Sequence, residues 1–107
     1  MDKKFEITGT TKLTGLLGNP VSHSISPAMH NASFQKLGLD YAYLAFSVDE
    51  THFERAVDGL ITLGAAGWNC TMPLKRLMYE RVDTLSDSAL LSGAVNTVVN
   101  RDGELFG

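Results

Sequence analysis

Apolar positions along the chain recur with two different spacings, and the switches between them predict the elements. A short apolar run from Leu13 to Leu17, closed by Gly18, predicts a buried strand. Pro27 to Leu37 predicts a helix, with Gly38 placed for a left-handed stop. Tyr41 to Val48 is rich in aromatic and β-branched residues and predicts a second strand. The clearest helix follows. Thr51-His52-Phe53-Glu54 has capping-box spacing, and Phe53, Ala56, Val57, Leu60 and Ile61 then make one apolar face. Gly64 and Gly67 end it. Ala66 to Thr71 predicts a third strand, stopped by Met72-Pro73, and residues 74–82 repeat at helical spacing. Ser86 predicts the cap of a short helix through Ser92, ended by Gly93. Val95 to Val99 predicts a fourth strand, Asn100 to Gly103 a turn, and Glu104 to Phe106 a returning strand. Residues 1–12 are weakly patterned and read as an N-terminal arm.

Strands alternating with helices imply βαβ units. The expected fold is α/β, a three-layer sandwich around a mostly parallel sheet. Two helical pieces separate the third strand from Val95 to Val99. If each reverses the chain, the fourth strand starts where the third one finished and runs antiparallel to it. At least one antiparallel strand is therefore expected.

Composition narrows the function without naming it. The 107 residues suffice for one domain and one core. A net charge of −3 offers no basic footprint for nucleic acid. No apolar run approaches the roughly 20 residues of a membrane span, and Met1 to Glu6 lacks the apolar stretch of a signal peptide. Cys70 is the only cysteine, so no intrachain disulfide forms and a cytoplasmic location is the default.

Candidate chemistry gathers where parallel strands end. In open α/β sheets, ligands sit outside those carboxyl ends. The first such loop carries Ser24 and Ser26, with Ser26 expected to cap the following helix and Pro27 at its first position. Two hydroxyls beside a positive helix terminus suit a carboxylate or phosphate; the alternative is a capped turn with no ligand. The second loop, Asn69 to Lys75, carries Thr71 and Lys75. An antiparallel fourth strand would bring Asn96 and Thr97 to the same edge. Ser24, Ser26, Thr71, Lys75 and Asn96 would then line one crevice suited to a small polyhydroxylated acid. Lys75 would act as an acid/base, as a fixed proton donor or as an electrostatic anchor; the alternative is a solvated lysine at a helix start. His23, His30 and His52 lack metal-site spacing, and His23 is expected to brace the serine loop. Cys70 reads as a small buried strand residue rather than a reactive thiol, and Trp68 and Tyr43 as packing residues. Gly-rich phosphate-cradling fingerprints are absent.

Three blocks carry a resemblance: Gly18 to Pro27 with Met29-His30-Asn31, Asn69 to Lys75, and Gly93 to Thr97. Together they resemble the N-terminal, substrate-binding domain of shikimate dehydrogenases, including quinate/shikimate dehydrogenases, from about Leu13 to Gly107. The resemblance implies reversible NADP-linked reduction of 3-dehydroshikimate to shikimate, in aromatic amino-acid biosynthesis. The quinate-active branch would use NAD or NADP and accept quinate. By the same resemblance, Ser24 and Ser26 would hold the substrate carboxylate. Thr71 and Asn96 would bind ring hydroxyls, and Lys75 would be the catalytic lysine at the carbonyl oxygen. The family's Asn-Val-Thr reads Asn69-Cys70-Thr71 here, a small-for-small change.

The family's Asn-Thr-Asp-Gly segment, whose aspartate pairs with the lysine, would follow Gly107, as would the nucleotide-binding domain. Residues 1–107 are thus expected to be a substrate domain from a two-domain enzyme, inactive alone, with NADP bound by the C-terminal domain. Other readings are a stand-alone binding domain for a shikimate-type acid and an interaction domain with no small ligand. An open half-cleft would bind its acid weakly, on the order of millimolar, or about −4 kcal/mol. Apolar surface left uncovered would favour a homodimer.

Overall fold

The computed structural model describes residues 6–107. Along the chain, β1 (Lys12–Gly18) leads to α1 (Ser26–Leu37) and β2 (Tyr41–Ser47). A single 3-10 turn, Glu50–His52, opens α2 (Phe53–Thr62), which leads to β3 (Gly67–Cys70). Then come α3 (Lys75–Arg81), α4 (Asp87–Ser92), β4 (Thr97–Arg101) and β5 (Glu104–Phe106). The five strands form one sheet in the order β2-β1-β3-β4-β5. β1 runs parallel to both β2 and β3, whereas β4 is antiparallel to β3 and to β5. The two helices between β3 and β4 do reverse the chain twice, and the expected antiparallel strand results.

Strand alternation divides the apolar residues between two faces. On one face, Leu17, Trp68, Cys70, Val98 and Leu105 pack against Phe53, Val57 and Leu60 of α2, Leu74 and Met78 around α3, and Ala89 of α4. On the other, Leu16 and Tyr43 pack with Val21 and Phe34 beneath α1. The sheet is the middle layer of a three-layer α/β sandwich. The second core is small, and no residue of α1 is fully buried. That helix is anchored by polar contacts instead: Asn31 accepts from the Tyr43 amide at 2.8 Å and donates to its carbonyl at 2.9 Å.

Element ends moved where side chains found better partners. Ser26 does not cap α1; Ile25 flanks the helix and Ser26 is its first residue. The cause is a turn one step earlier. The Ser24 amide donates to the Val21 carbonyl, and Ser24 Oγ then accepts from the Ser26 amide at 3.1 Å. The Thr51 capping box does not form either. Asp49 accepts from the His52 amide at 3.0 Å and starts the 3-10 turn. Ser86 caps α4 as expected, accepting from the Ala89 amide at 3.2 Å. Gly38 and Gly93 close α1 and α4, each with φ of 69°, where a side chain would be strained.

The fourth strand starts two residues later than expected. The Val95 amide donates to the Lys75 carbonyl at 3.0 Å, so residue 95 serves α3 rather than the ladder. The strand then extends through Asn100 and Arg101, leaving only Asp102 and Gly103 in the turn. Both have positive φ, 52° and 93°, as a tight hairpin requires. Of the expected N-terminal arm, residues 1–5 lie outside the described residues, and Lys12 already belongs to β1.

Candidate functional site

The carboxyl ends of β1 and β3 lie side by side, because the two strands pair in parallel from Thr14–Gly67 to Leu17–Cys70. Beyond that register the loops are tied together. The Thr71 amide donates to the Leu17 carbonyl at 2.8 Å, and the Asn19 amide to the Met72 carbonyl at 3.1 Å. Gly18 makes this approach close: a Cβ there would overlap Thr71 Cγ2 and come within 2.9 Å of Val21 Cγ1. The result is a cleft of about 350 Å³ lined by Leu16, Pro20, Val21, His23, Ser24, Ser26 and Thr71. Three of the five expected site residues, Ser24, Ser26 and Thr71, therefore share one cleft, and all three are half-buried.

The local hydrogen bonds set what the cleft offers. Ser24 Oγ accepts from the Ser26 amide, so its own proton remains available to donate. The start of α1 adds its positive end. An acidic oxygen is the complementary group.

Asn96 and Lys75 stand beside this cleft rather than in its wall. Asn96 is exposed and lines a neighbouring depression with Thr97, Ser86, Ser88 and Ser92. Its backbone is fixed opposite β3, where its carbonyl accepts from the Cys70 amide at 3.0 Å. Lys75 is half-buried at the first position of α3, and its carbonyl holds Val95. Asn96 is thus tied to the end of β3, and Lys75 to the residue before Asn96. His23 lines the cleft but makes no hydrogen bond to the serine loop, so it does not brace it; the backbone bond from Ser24 to Val21 does that work.

Cys70 is buried, 2% exposed, and burial pushes its thiol up to about 12 despite the opposing charge of Lys75. It is an inert packing residue. Trp68 is also buried, and its indole N–H donates to Met78 Sδ at 3.5 Å. Tyr43 does more than pack, since its hydroxyl donates to Asn69 Oδ1 at 2.9 Å. Asn69 and Tyr43 are the polar residues near the site whose part sequence reasoning missed. A signal existed: Asn is disfavoured in strands, and Asn69 shares a pleat face with Thr71.

The turn after β1 does not fit a dinucleotide. It is filled by Thr71 and Val21 against Gly18, and Pro20 has no N–H to offer a phosphate. Among the described residues no three His, Cys, Asp or Glu side chains gather as metal ligands. No helix among them is long and apolar enough to cross a membrane.

A mixed α/β sheet with a hydroxyl-lined cleft at its parallel strand ends defines a small-molecule-binding α/β domain. Comparison with known proteins narrows it. The family model described as the shikimate dehydrogenase substrate binding domain matches residues 16–98, and the chain belongs to that family. It is 54% identical to the shikimate dehydrogenase (NADP(+)) of Alkaliphilus metalliredigens over 104 residues, which cover 97% of this chain and 36% of that protein. Its fold is similar to crystalline shikimate 5-dehydrogenase from Listeria monocytogenes in complex with shikimate and NAD. There the TM-score is 0.93 and the identity 50%, covering 98% of this chain and 36% of that one. It is also similar to the ligand-free 5-ketofructose reductase of a Gluconobacter strain, with TM-score 0.90 and 33% identity, covering 94% of this chain and 36% of that one. The chain spans about a third of the length of the relatives it matches.

Proposed function

We propose that residues 1–107 are the substrate-binding domain of a cytoplasmic, NADP-dependent shikimate dehydrogenase. Its reaction is the reversible reduction of 3-dehydroshikimate to shikimate. The observation that carries this reading is the shared cleft of Ser24, Ser26 and Thr71 at the strand ends, in a chain matching the family across residues 16–98. The cofactor is NADP, with NAD as the alternative. In this reading it is held by a domain outside these residues, because the Gly18 turn after β1 is filled by side chains.

In this reading Ser24 and Ser26 donate to the substrate carboxylate, helped by the positive end of α1. Thr71 and Asn96 hold ring hydroxyls. Lys75 Nζ, from the first residue of α3, gives a proton to the carbonyl oxygen during reduction and takes it back in the reverse direction. Ile25 and Met72 each adjoin a residue lining the cleft and are 71% and 69% exposed. They supply an apolar rim for a covering domain, or for homodimer contact when that cover is missing.

The roles separate kinetically in the dehydrogenase that contains this chain. Ser24→Ala with Ser26→Ala raises KM for shikimate with a smaller effect on kcat, because carboxylate contacts exist in both ground and transition states. Lys75→Ala lowers kcat at least about 100-fold, the scale of general acid–base catalysis. A Lys75→Ala enzyme with unchanged kcat would overturn the assignment.

A further inference from the structure

The sheet has two edges, β5 and β2, and the chain closes them in different ways. At β5 the outer backbone is taken by the segment before α4. The Asp83 and Thr84 amides donate to the Leu105 carbonyl at 2.9 and 3.1 Å, and the Gly107 amide donates to the Thr84 carbonyl at 2.8 Å. At β2 the outer backbone meets a side chain instead. The Asp40 carbonyl accepts from the Lys12 amide and the Val48 amide donates to the Gly18 carbonyl. Successive strand residues turn their backbone groups to opposite sides, so the even-numbered residues between 40 and 48 face β1. Tyr41, Tyr43, Ala45 and Ser47 therefore face outward.

Asn31 takes the central outward residue. Its Oδ1 accepts from the Tyr43 amide at 2.8 Å, and its Nδ2 donates to the Tyr43 carbonyl at 2.9 Å. That two-bond exchange is how one residue of an antiparallel strand pairs with another. A carboxamide can imitate it because it presents one donor and one acceptor side by side. Among the described residues, no other side chain bonds to the outward backbone of β2. The strand needs such cover. Its seven residues, Tyr41 to Ser47, carry no charge and no proline, which are devices that keep an edge strand from pairing with another chain. Leu44 at its centre is 51% exposed. The strand is also self-complementary: a two-fold axis at residue 43 would set each outward residue opposite another outward one.

We propose that the outer edge of β2 is a pairing surface for β2 of a second copy of this chain, and that Asn31 keeps it closed. The Asn31 side chain holds the place the second strand would take. Losing it frees the Tyr43 N–H and C=O in each copy, and the two edges join antiparallel into one continuous sheet. Anchoring α1 is the other service of these bonds, and it involves no second copy.

Sedimentation of the 107-residue chain over a range of concentrations tests this. Asn31→Ala is expected to raise the self-association constant at least about tenfold over the parent, the scale of one or two net hydrogen bonds. Leu44→Lys in the Asn31→Ala background is expected to return it to the parent value. Leu44 lies on the sheet face opposite Tyr43 and α1, so this second change leaves α1 alone. Across the new pair its two lysines would meet on a diagonal and repel. Association of the parent through another surface, such as the rim of Ile25 and Met72, would not respond to Leu44→Lys. Hydrogen exchange in the parent needs no variant: the Tyr43 amide is expected to exchange at least about tenfold more slowly than the outward Ala45 amide. An Asn31→Ala chain that stays folded by Trp68 fluorescence and associates no more than the parent would overturn the proposal. So would association that Leu44→Lys leaves unchanged. If Asn31→Ala does not fold, the exchange decides: an Ala45 amide as protected as that of Tyr43 means that something other than Asn31 covers the edge, and overturns the proposal.

Discussion

Replacing Gly18 by alanine adds one methyl group at the point where the two site loops meet. That Cβ would overlap Thr71 Cγ2, come within 2.9 Å of Val21 Cγ1 and lie 3.1 Å from the Met72 carbonyl oxygen. Thr71 cannot step aside freely, because its amide is bonded to the Leu17 carbonyl. Overpacking of this kind costs about 1–3 kcal/mol. Gly59 is the matched control. It lies inside α2 with nothing within 4 Å of its would-be Cβ. There alanine relieves the entropy cost of a helical glycine and stabilises by roughly 0.5–1 kcal/mol. The same chemical change is thus predicted to have opposite signs at the two positions. Urea unfolding followed by Trp68 fluorescence measures both, and thermal midpoints are expected to move about 4–8 °C per kcal/mol for a chain of this size. Gly18→Ala should also weaken shikimate binding, because Thr71 is pushed. A Gly18→Ala chain as stable as the parent, with unchanged binding, would refute the close approach of the loops and the cleft geometry built on it.

The remaining predictions concern the core, the thiol and a surface carboxylate. Leu74→Ala or Met78→Ala, each at a fully buried side chain between α3 and the sheet, should destabilise by about 2–5 kcal/mol in the same unfolding assay. Cys70 should resist a thiol reagent in the native chain and react at once on unfolding. Its raised pKa also makes stability fall at alkaline pH. Below the unfolded thiol's value of about 9 both states keep the proton. Between there and about 12 only the unfolded state loses it, so stability drops by at most about 1.4 kcal/mol per pH unit. Cys70→Ala should remove that contribution to the slope. Asp40 accepts from the hydroxyls of Thr10 and Thr11, which hold its carboxyl below its ordinary value. Thr10→Ala should therefore raise the Asp40 pKa in an NMR titration, and an unmoved pKa would contradict the hydrogen-bond origin of the shift.

Periodicity made most of the fold legible. The apolar face of α2 and the alternation in β3 reflect burial against one continuous core, and burial is what pattern records. Counting two helices between β3 and β4 was enough to predict the antiparallel turn of the sheet. Capping was less legible. Ser26 and Thr51 have the right chemistry, but Ser24 and Asp49 win because neighbouring turns present their oxygens better. The site was legible as residues and only partly as geometry. Ser24, Ser26 and Thr71 converge because β1 and β3 pair in parallel. That Asn96 lines a separate depression depends on where β4 begins, which hinges on the Val95 bond to Lys75. The bond from Tyr43 to Asn69 needs the register of three strands at once, and no local pattern encodes that.

A shikimate titration of the 107-residue chain, followed by amide NMR, tests the central claim most directly. Saturable shifts are expected at Ser24, Ser26, Thr71, Lys75 and Asn96, with a dissociation constant on the order of millimolar, and their loss in Ser24→Ala with Ser26→Ala. A chain that shows no shifts up to roughly tens of millimolar, or whose shifts fall away from these residues, would contradict it.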